Sequence, residues 1–254
     1  MEVPVITSAF SAVAVEPFPE IKPQDDLGGT IAAVLSEQGI ELRQGDVLVV
    51  ASKIVSISED RYVDLASITP SDEALRLSGL TGKPAELVQL ILDESVEHFV
   101  AGERGPIIAR HRLGYLLTSA GVDRAGAEGA WLLPSDPDAS ARALRTAIHA
   151  ATNADVAVVI ADSDGREDRR GSTVISVGAA GISPLRVTES IEADGRLKHQ
   201  EETLTDMVAA AAGLILGQRG RGVPVVVISG ISYKASDDGV RSALHHGIPP
   251  VHGS

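Results

Sequence analysis

The stretch Val156–Gly171, VAVVIADSDGREDRRG, constrains this chain more than any other. Its first part, Val156 to Ile160, is an apolar run rich in β-branched residues and predicts a buried strand. At Asp162-Ser163-Asp164-Gly165 strand chemistry gives way to turn chemistry. Arg166, Arg169 and Arg170 follow, with Glu167 and Asp168 between them, and Gly171 closes the predicted loop. A carboxylate at the end of a buried strand, followed by a hydroxyl, suits a divalent cation, because hard cations take oxygen ligands. Three arginines just beyond it suit a phosphate, since guanidinium offers forked donors in a fixed plane. Read in isolation, the same residues also describe a strand, a turn and a solvated charged loop.

The rest of the chain supplies a core for such a strand. Hydrophobic residues make up 44% of its 254 residues, enough for one large domain or two small ones. Aromatics are only 3%, so that core is built from Val, Ile, Leu and Ala. A formal net charge of -13 argues against a nucleic-acid partner, which needs a broad basic footprint. With no cysteine there are no disulfides, thiolate metal sites or Cys nucleophile. No apolar run approaches the ~18 residues that cross a bilayer, and the N-terminus lacks the basic start of a signal peptide. A soluble, cytoplasmic protein with no membrane partner is expected.

Taken in order, Met1–Glu16 predicts one or two short strands, and Pro17, Pro19 and Pro23 then break the backbone. Asp25 and Asp26 precede a helix whose Leu27, Ile31, Val34 and Leu35 share a face, and Gly39 ends it. VLVVAS predicts a second apolar strand, and SKIVSISEDRYVDL continues it in extended form. Ser71 or Asp72 caps a helix, Lys83-Pro84-Ala85 opens another, and residues 98–117 are extended. Asp123 follows the small-residue turn Ser119-Ala120-Gly121-Val122, a second acid delivered after a strand. Asp138 or Ser140 caps a helix with Leu144 and Ile148 inward. Residues 203–216 form an apolar helix whose face is Leu204, Met207, Val208, Ala211, Leu214 and Ile215. Its Ala-rich centre suits core or dimer packing. The Gly217–Gly222 loop could approach an anion, the strand VPVVVIS follows, and a polar, partly frayed tail closes the chain. P-loop, GxSxG, HExxH and GxGxxG signatures are absent.

Together, VEPFPEIKPQDDL, VLVVASKIVS, GKPAELVQLILDES, AGVD, LLPSDPDASARALR, VVIADSDGREDRRG and AAAAGLILG…GVPVVVISG match, in order and over nearly the whole chain, a known pattern. The chain resembles the coenzyme F-420:L-glutamate ligase (gamma-glutamyl ligase) family. The resemblance implies an α+β, mixed α/β ligase fold in an intertwined homodimer, with residues 1–254 as a single ligase domain of two interleaved subdomains. It implies GTP as substrate with Mg²⁺ or Mn²⁺, and K⁺ as a further cation. L-glutamate and a phosphate-bearing deazaflavin precursor are the implied small-molecule partners. Asp123 and Asp162 become the catalytic, metal-linked acids, with Ser163 and Gln218 as further metal contacts. Phe18, Pro19, Glu20, Ile21, Ser52, Lys53, Arg166, Arg170, Gln218, Arg219 and Gly220 become the nucleotide contacts. GTP then phosphorylates a carboxylate of the precursor, and the glutamate amine attacks the acyl phosphate.

The departures from the family pattern fall on contacts to the nucleotide. Where the family reads SKAEG with a lysine reaching the nucleotide, Ile57 stands at the lysine and Asp60 at the glycine. Ala125 and Gly126 replace a Ser-Asn pair after the AGxD turn, and Asp164, Glu167 and Asp168 add acids to the DTxGRxxRxG motif. Arg169, Arg170 or Arg219 is then expected to supply the missing positive charge, and GTP to bind more weakly than the pattern implies. Three functional classes fit: the glutamate ligase, a paralogous ligase for another amino acid or acceptor, and a catalytically silent nucleotide-binding dimer.

Overall fold

Two valine-rich runs dictate the architecture: Val47 to Val50 and Val158 to Ile160 are completely buried, so their strands must be covered on both faces. A computed structural model describes residues 9–101, 104–166, 169–192, 194–217 and 223–245. The first strand, β1, is Ser11–Ala14. Helix α1, Leu27–Glu37, starts where the Asp26 carboxylate accepts the Gly29 N–H at 3.0 Å, and Gly39 closes it with φ 66°. Strand β2 is Val47–Ala51, followed at once by α2, Ser52–Ser58. Then come β3 (Tyr62–Asp64), α3 (Asp72–Thr81, capped by Ser71) and α4 (Ala85–Asp93). Strands β4 (Ser95–Val100), β5 (Ile107–His111), β6 (Leu116–Thr118), β7 (Asp123–Ala125) and β8 (Gly129–Trp131) precede α5, Pro137–Thr152. The chain continues through β9 (Ala157–Arg166), β10 (Arg169–Ala180), β11 (Leu185–Ile191), β12 (Leu197–Thr203), α6 (Leu204–Leu216) and β13 (Val225–Ser229).

The main sheet has the order β1-β13-β2-β9-β10. Among the described residues of this sheet only β2 and β9 run parallel, with Val47 opposite Ala157 and Ala51 opposite Ala161; the other pairs are antiparallel. A bulge in β10 lets Ser176 pair with Ala161 and Gly178 with Ile160, so these two face opposite sides. Helix α6 lies on the Ser176 side, where Thr205 and Asp206 bond to it, and α5 lies on the Gly178 side, where Pro137 leaves no room for a Cβ. A second core gathers Leu65, Leu77, Leu87, Val88, Ile91, Ile107, Ala130 and Leu132 beneath α3, α4 and two three-stranded sheets, β3-β8-β7 and β4-β5-β6. Tyr115, just before β6, fastens it to the main sheet by donating its hydroxyl to the Val177 carbonyl at 2.6 Å. The fold is a mixed α+β one, as the resemblance implied.

Several local expectations are corrected. SKIVSIS is helical, not extended: Val55 is buried and Ile54 and Ile57, three apart, pack on the main core, a burial that a strand would divide between two faces. Asp60 ends α2 in the left-handed region at φ 55°, with Arg61 N–H donating to Ser56 O and Asp60 N–H to Ile57 O, the two hydrogen bonds of a helix end that usually holds glycine. Strand β9 does not stop at Asp162; pairing with β10 carries it through Arg166, and Gly171 lies inside β10. Residues 197–203 pair with β11 as an exposed ribbon. Helix α6 buries Leu204, Thr205, Val208, Ala209 and Ala212, whereas Met207 and Leu214 face out, because the Ser176 hydrogen bonds turn Thr205 inward. The first part of the tail is held, with Asp237 accepting the Gly181 N–H and Val240 buried, while residues 246–254 lie outside the described residues.

Asp136, not Asp138 or Ser140, caps α5, accepting the Ala139 N–H at 3.1 Å. Asp138 instead turns inward and accepts backbone N–H groups of Ala179 (2.9 Å), Val240 (2.8 Å) and Arg241 (3.3 Å). It thus joins α5, β10 and the C-terminal segment. Asp138→Ala strands these buried donors and should cost about 2–5 kcal/mol, against about 1 kcal/mol for Asp136→Ala, in urea unfolding monitored by circular dichroism.

Candidate functional site

The in-register parallel pair β2/β9 brings two polar residues out of the core side by side. Beyond Ala51 and Ala161 come Ser52 and Asp162, and the buried Ser52 hydroxyl donates to Asp162 Oδ1 at 2.8 Å. Burial, helped by the neighbouring Asp123 charge, pushes the Asp162 carboxyl up to about 7 against the opposing pull of the Ser52 hydroxyl and the Ser163 N–H. Asp123 reaches this point from the second core, at the start of β7 after the turn 119–121. That turn is itself unusual, with Ser119 and Ala120 both in the left-handed region at φ 55° and 51°. Lys53 Nζ lies 3.4 Å from Asp123 Oδ2; both side chains are about half exposed, so the pair orients more than it stabilises.

The structure therefore brings together Ser52, Lys53, Asp123 and Asp162. Asp164, two residues on along β9, joins their surroundings: it accepts the Thr118 N–H at 2.8 Å, and burial raises its carboxyl above the usual range. Strand alternation places Ser163 on the opposite face of β9 from Asp162, so its hydroxyl points away and its N–H serves the Asp162 carboxylate instead. Arg166 and Arg170 are exposed at the far end of the β9–β10 hairpin. In the loop 17–24, Ile21 is buried and Phe18 packs on the main core, whereas Pro19 and Glu20 are exposed. The Gln24 N–H ties that loop to the end of α2 through Ser58 O at 3.0 Å. Ile57 packs against the core. Gln218, Arg219 and Gly220 lie outside the described residues.

Sequence reading missed two features here. Glu59 links the end of α2 to the start of α5, accepting from Ser135 N–H at 3.1 Å and from the hydroxyls of Ser135 and Ser140. Tyr62 and Trp131 form an edge-to-face ring pair on the strands next to Asp123. The rarity of aromatic residues was the available signal.

Among the described residues no group of three or more His, Asp or Glu side chains could hold a metal ion. Asp123 and Asp162 nevertheless fit a hard divalent cation, since Mg²⁺ is commonly held by one or two carboxylates together with substrate phosphates. The repulsion between the two acids, one of them buried, is the kind of charge excess that a cation relieves.

Residues 17–230 match the family model described as F420-0:Gamma-glutamyl ligase. The chain belongs to that family. Its members are ligases, and the chain is similar to the Coenzyme F420:L-glutamate ligase of Methanothermobacter thermautotrophicus, 37% identical over 241 residues that cover 92% of this chain and 95% of the relative. The protein of the same name from Methanosarcina acetivorans is 35% identical, covering 90% of this chain and 89% of the relative. That of Methanopyrus kandleri is 37% identical, covering 85% and 86%. For this member of the gamma-glutamyl ligase family, among the described residues no helix is long and apolar enough to cross a membrane.

The raised Asp162 carboxyl carries a stability consequence. Its contribution is fully present below an unfolded value near 3.8 and is lost as pH rises through about 7. Without divalent cations, Asp162→Asn should therefore raise the melting temperature at pH 8, by a stabilisation on the order of 1–4 kcal/mol, and the gain should shrink towards pH 4. Differential scanning calorimetry in chelator checks this; an unchanged or lower melting temperature at pH 8 contradicts the buried, repelled carboxylate.

Proposed function

We propose that this protein joins L-glutamate to the carboxylate of a phosphate-bearing deazaflavin precursor of coenzyme F420, using GTP. The observation that carries the reading is the meeting of Asp162, Ser52, Lys53 and Asp123 at the end of the parallel pair, in a chain whose family is that of the F420-0 gamma-glutamyl ligases. In this reaction an oxygen of the acceptor carboxylate bonds to the terminal phosphorus of GTP and GDP departs. The glutamate nitrogen then bonds to the acyl carbon, and orthophosphate leaves with the carboxylate oxygen as the amine loses its proton.

The chain's own groups supply position and charge. Ser52 holds the Asp162 carboxylate in one orientation by donating to one of its oxygens. Lys53, anchored by Asp123 yet half exposed, can extend its ammonium to a phosphate oxygen of the nucleotide. A divalent ion held by Asp123 and Asp162 would neutralise charge between phosphate oxygens. The expected nucleotide contacts at Pro19, Glu20, Arg166 and Arg170 are exposed and free to meet a ligand from solvent, whereas Ile21 supports the loop from beneath. Gln218, Arg219, Gly220, Ser163 and K⁺ enter this reading only through the resemblance.

The departures favour a second reading, a paralogue with a different acceptor or amino acid. Ile57 takes the place of a nucleotide-contacting lysine and turns to the core, and Gly126, at φ 66°, makes a tight turn between β7 and β8 where the family has a polar pair. A homodimer belongs to the proposal as well. It is supported by the outward apolar residues Val187, Ile191 and Leu197 on the β11–β12 ribbon and Leu214, 80% exposed, on α6. Light scattering should give twice the 26.4 kDa chain mass.

Incubation with GTP, Mn²⁺, L-glutamate and the unglutamylated coenzyme should release orthophosphate and add one glutamyl residue by mass spectrometry. Neither product with any of these substrates rejects the reading, and turnover only with a different amine or acid selects the paralogue. Asp123→Asn should lower Mn²⁺-dependent turnover by about a hundredfold or more while keeping the folded spectrum, because an anionic oxygen ligand is lost.

A further inference from the structure

The register of the small sheet sets three side chains in a row. Tyr62 on β3 lies opposite Trp131 on β8, and Trp131 lies opposite Asp123 on β7. Residues directly paired across antiparallel strands share a face. Asp123 reaches Lys53 and acts electrostatically on Asp162, so the face that carries the row is the one turned to the candidate site.

The two rings meet edge to face, with centroids 5.2 Å apart and planes at 65°. Tyr62 crosses over Gly129, where a Cβ would stand 2.1 Å from its Oη and 2.2 Å from Cζ; the glycine makes room for the ring. Tyr62 is nonetheless 44% exposed and Trp131 only partly buried, so both rings keep surface open to solvent. Core packing does not account for this: the buried residues are overwhelmingly aliphatic, and this is the single tryptophan of the chain. Two rings inclined to one another, one offering a floor and the other a wall, form a surface for a planar ring.

We propose that Tyr62 and Trp131 are a stacking platform for the planar heteroaromatic ring of the acceptor, the deazaflavin, placed beside the acids at which its carboxylate reacts. The inference rests on the ligase reading above. It assigns the platform to the acceptor rather than to the guanine base because the described residues expected to hold the nucleotide, 18–21 and 52–53 with Arg166 and Arg170, lie outside the small sheet, and the nucleotide-contacting pair that the family pattern places at the end of β7 is replaced by Ala125 and Gly126, whose side chains offer no hydrogen bond. Asp123 alone belongs to both the sheet and the acid pair, so an acceptor whose ring rests on the platform lies next to the acids that its carboxylate-bearing side chain must reach.

Steady-state kinetics on Trp131→Leu and Tyr62→Leu test this. The KM for the deazaflavin acceptor should rise about tenfold, as for loss of one stacked ring, while kcat and the KM values for GTP and glutamate stay unchanged. Trp131→Phe, which keeps a ring, should recover most of the loss. Because Trp131 is the only tryptophan, titrating the unglutamylated coenzyme into wild-type protein without GTP should quench its fluorescence, a readout that needs no variant to fold. An unmoved acceptor KM in folded Leu variants, or no quench, overturns the platform; a rise in the KM for GTP instead overturns its assignment to the acceptor. A wild type that ligates alongside unaffected variants rejects the platform alone, whereas a wild type that does not ligate rejects the ligase reading and this inference with it.

Discussion

The parallel pairing of β2 with β9 is the constraint from which the rest of the structure follows. Two strands that run the same way cannot be joined by a tight turn, and everything from Ser52 to Val156 serves as their connection, including the second core and α5. The pairing is strong because each strand is buried on both faces, and a fully buried valine or isoleucine contributes about 1.5–3 kcal/mol. The Ser52–Asp162 hydrogen bond inherits its geometry from that ladder. Neither residue needs a loop to hold it in place.

The site is assembled across the two cores. Asp162 belongs to the main sheet and Asp123 to the small one, and the union is secured by neutral groups: Tyr115 on the Val177 carbonyl and the Thr118 N–H on Asp164. Bringing two carboxylates together, one of them buried, works against folding, and the exposed Lys53 offsets little of it. A fold keeps such an arrangement where the charge has work to do on a ligand.

How much was legible in the sequence followed the physics of each signal. Residues 47–50 and 156–160 announced their strands because unbroken apolar runs rich in β-branched residues have few other uses, Asp25 and Asp26 announced a helix by suiting the dipole at its start, and Ser71 or Asp72 announced the next by capping chemistry. Asp162 and Asp123 stood out as acids following apolar strands. The reading failed where local chemistry pointed the wrong way. SKIVSIS is rich in β-branched residues yet is helical, because burying Val55 with Ile54 and Ile57 outweighs propensity. DSDG looks like a turn yet stays in strand because β10 pairs with it. Asp138 looked like a cap, but its partners Ala179 and Val240 are far away in sequence. The Tyr62–Trp131 pair was hidden for the same reason: their adjacency is a matter of register between two short strands far apart in sequence.

Strand β9 changes character in mid-course. Up to Ala161 it has ladder partners on both sides, but β2 stops there, and from Asp162 to Arg166 its ladder continues with β10 alone. Deuterium uptake along this one strand should therefore follow a gradient, slow in its first half and faster in the second. Asp162 stands at the junction, anchored like a core residue on one side and adjacent to a more compliant ribbon on the other. In the proposed reaction Arg166 and Arg170, borne on that ribbon, would adjust to the nucleotide's phosphates without displacing the acid, which separates the part of the molecule that must stay still from the part that can follow its ligand.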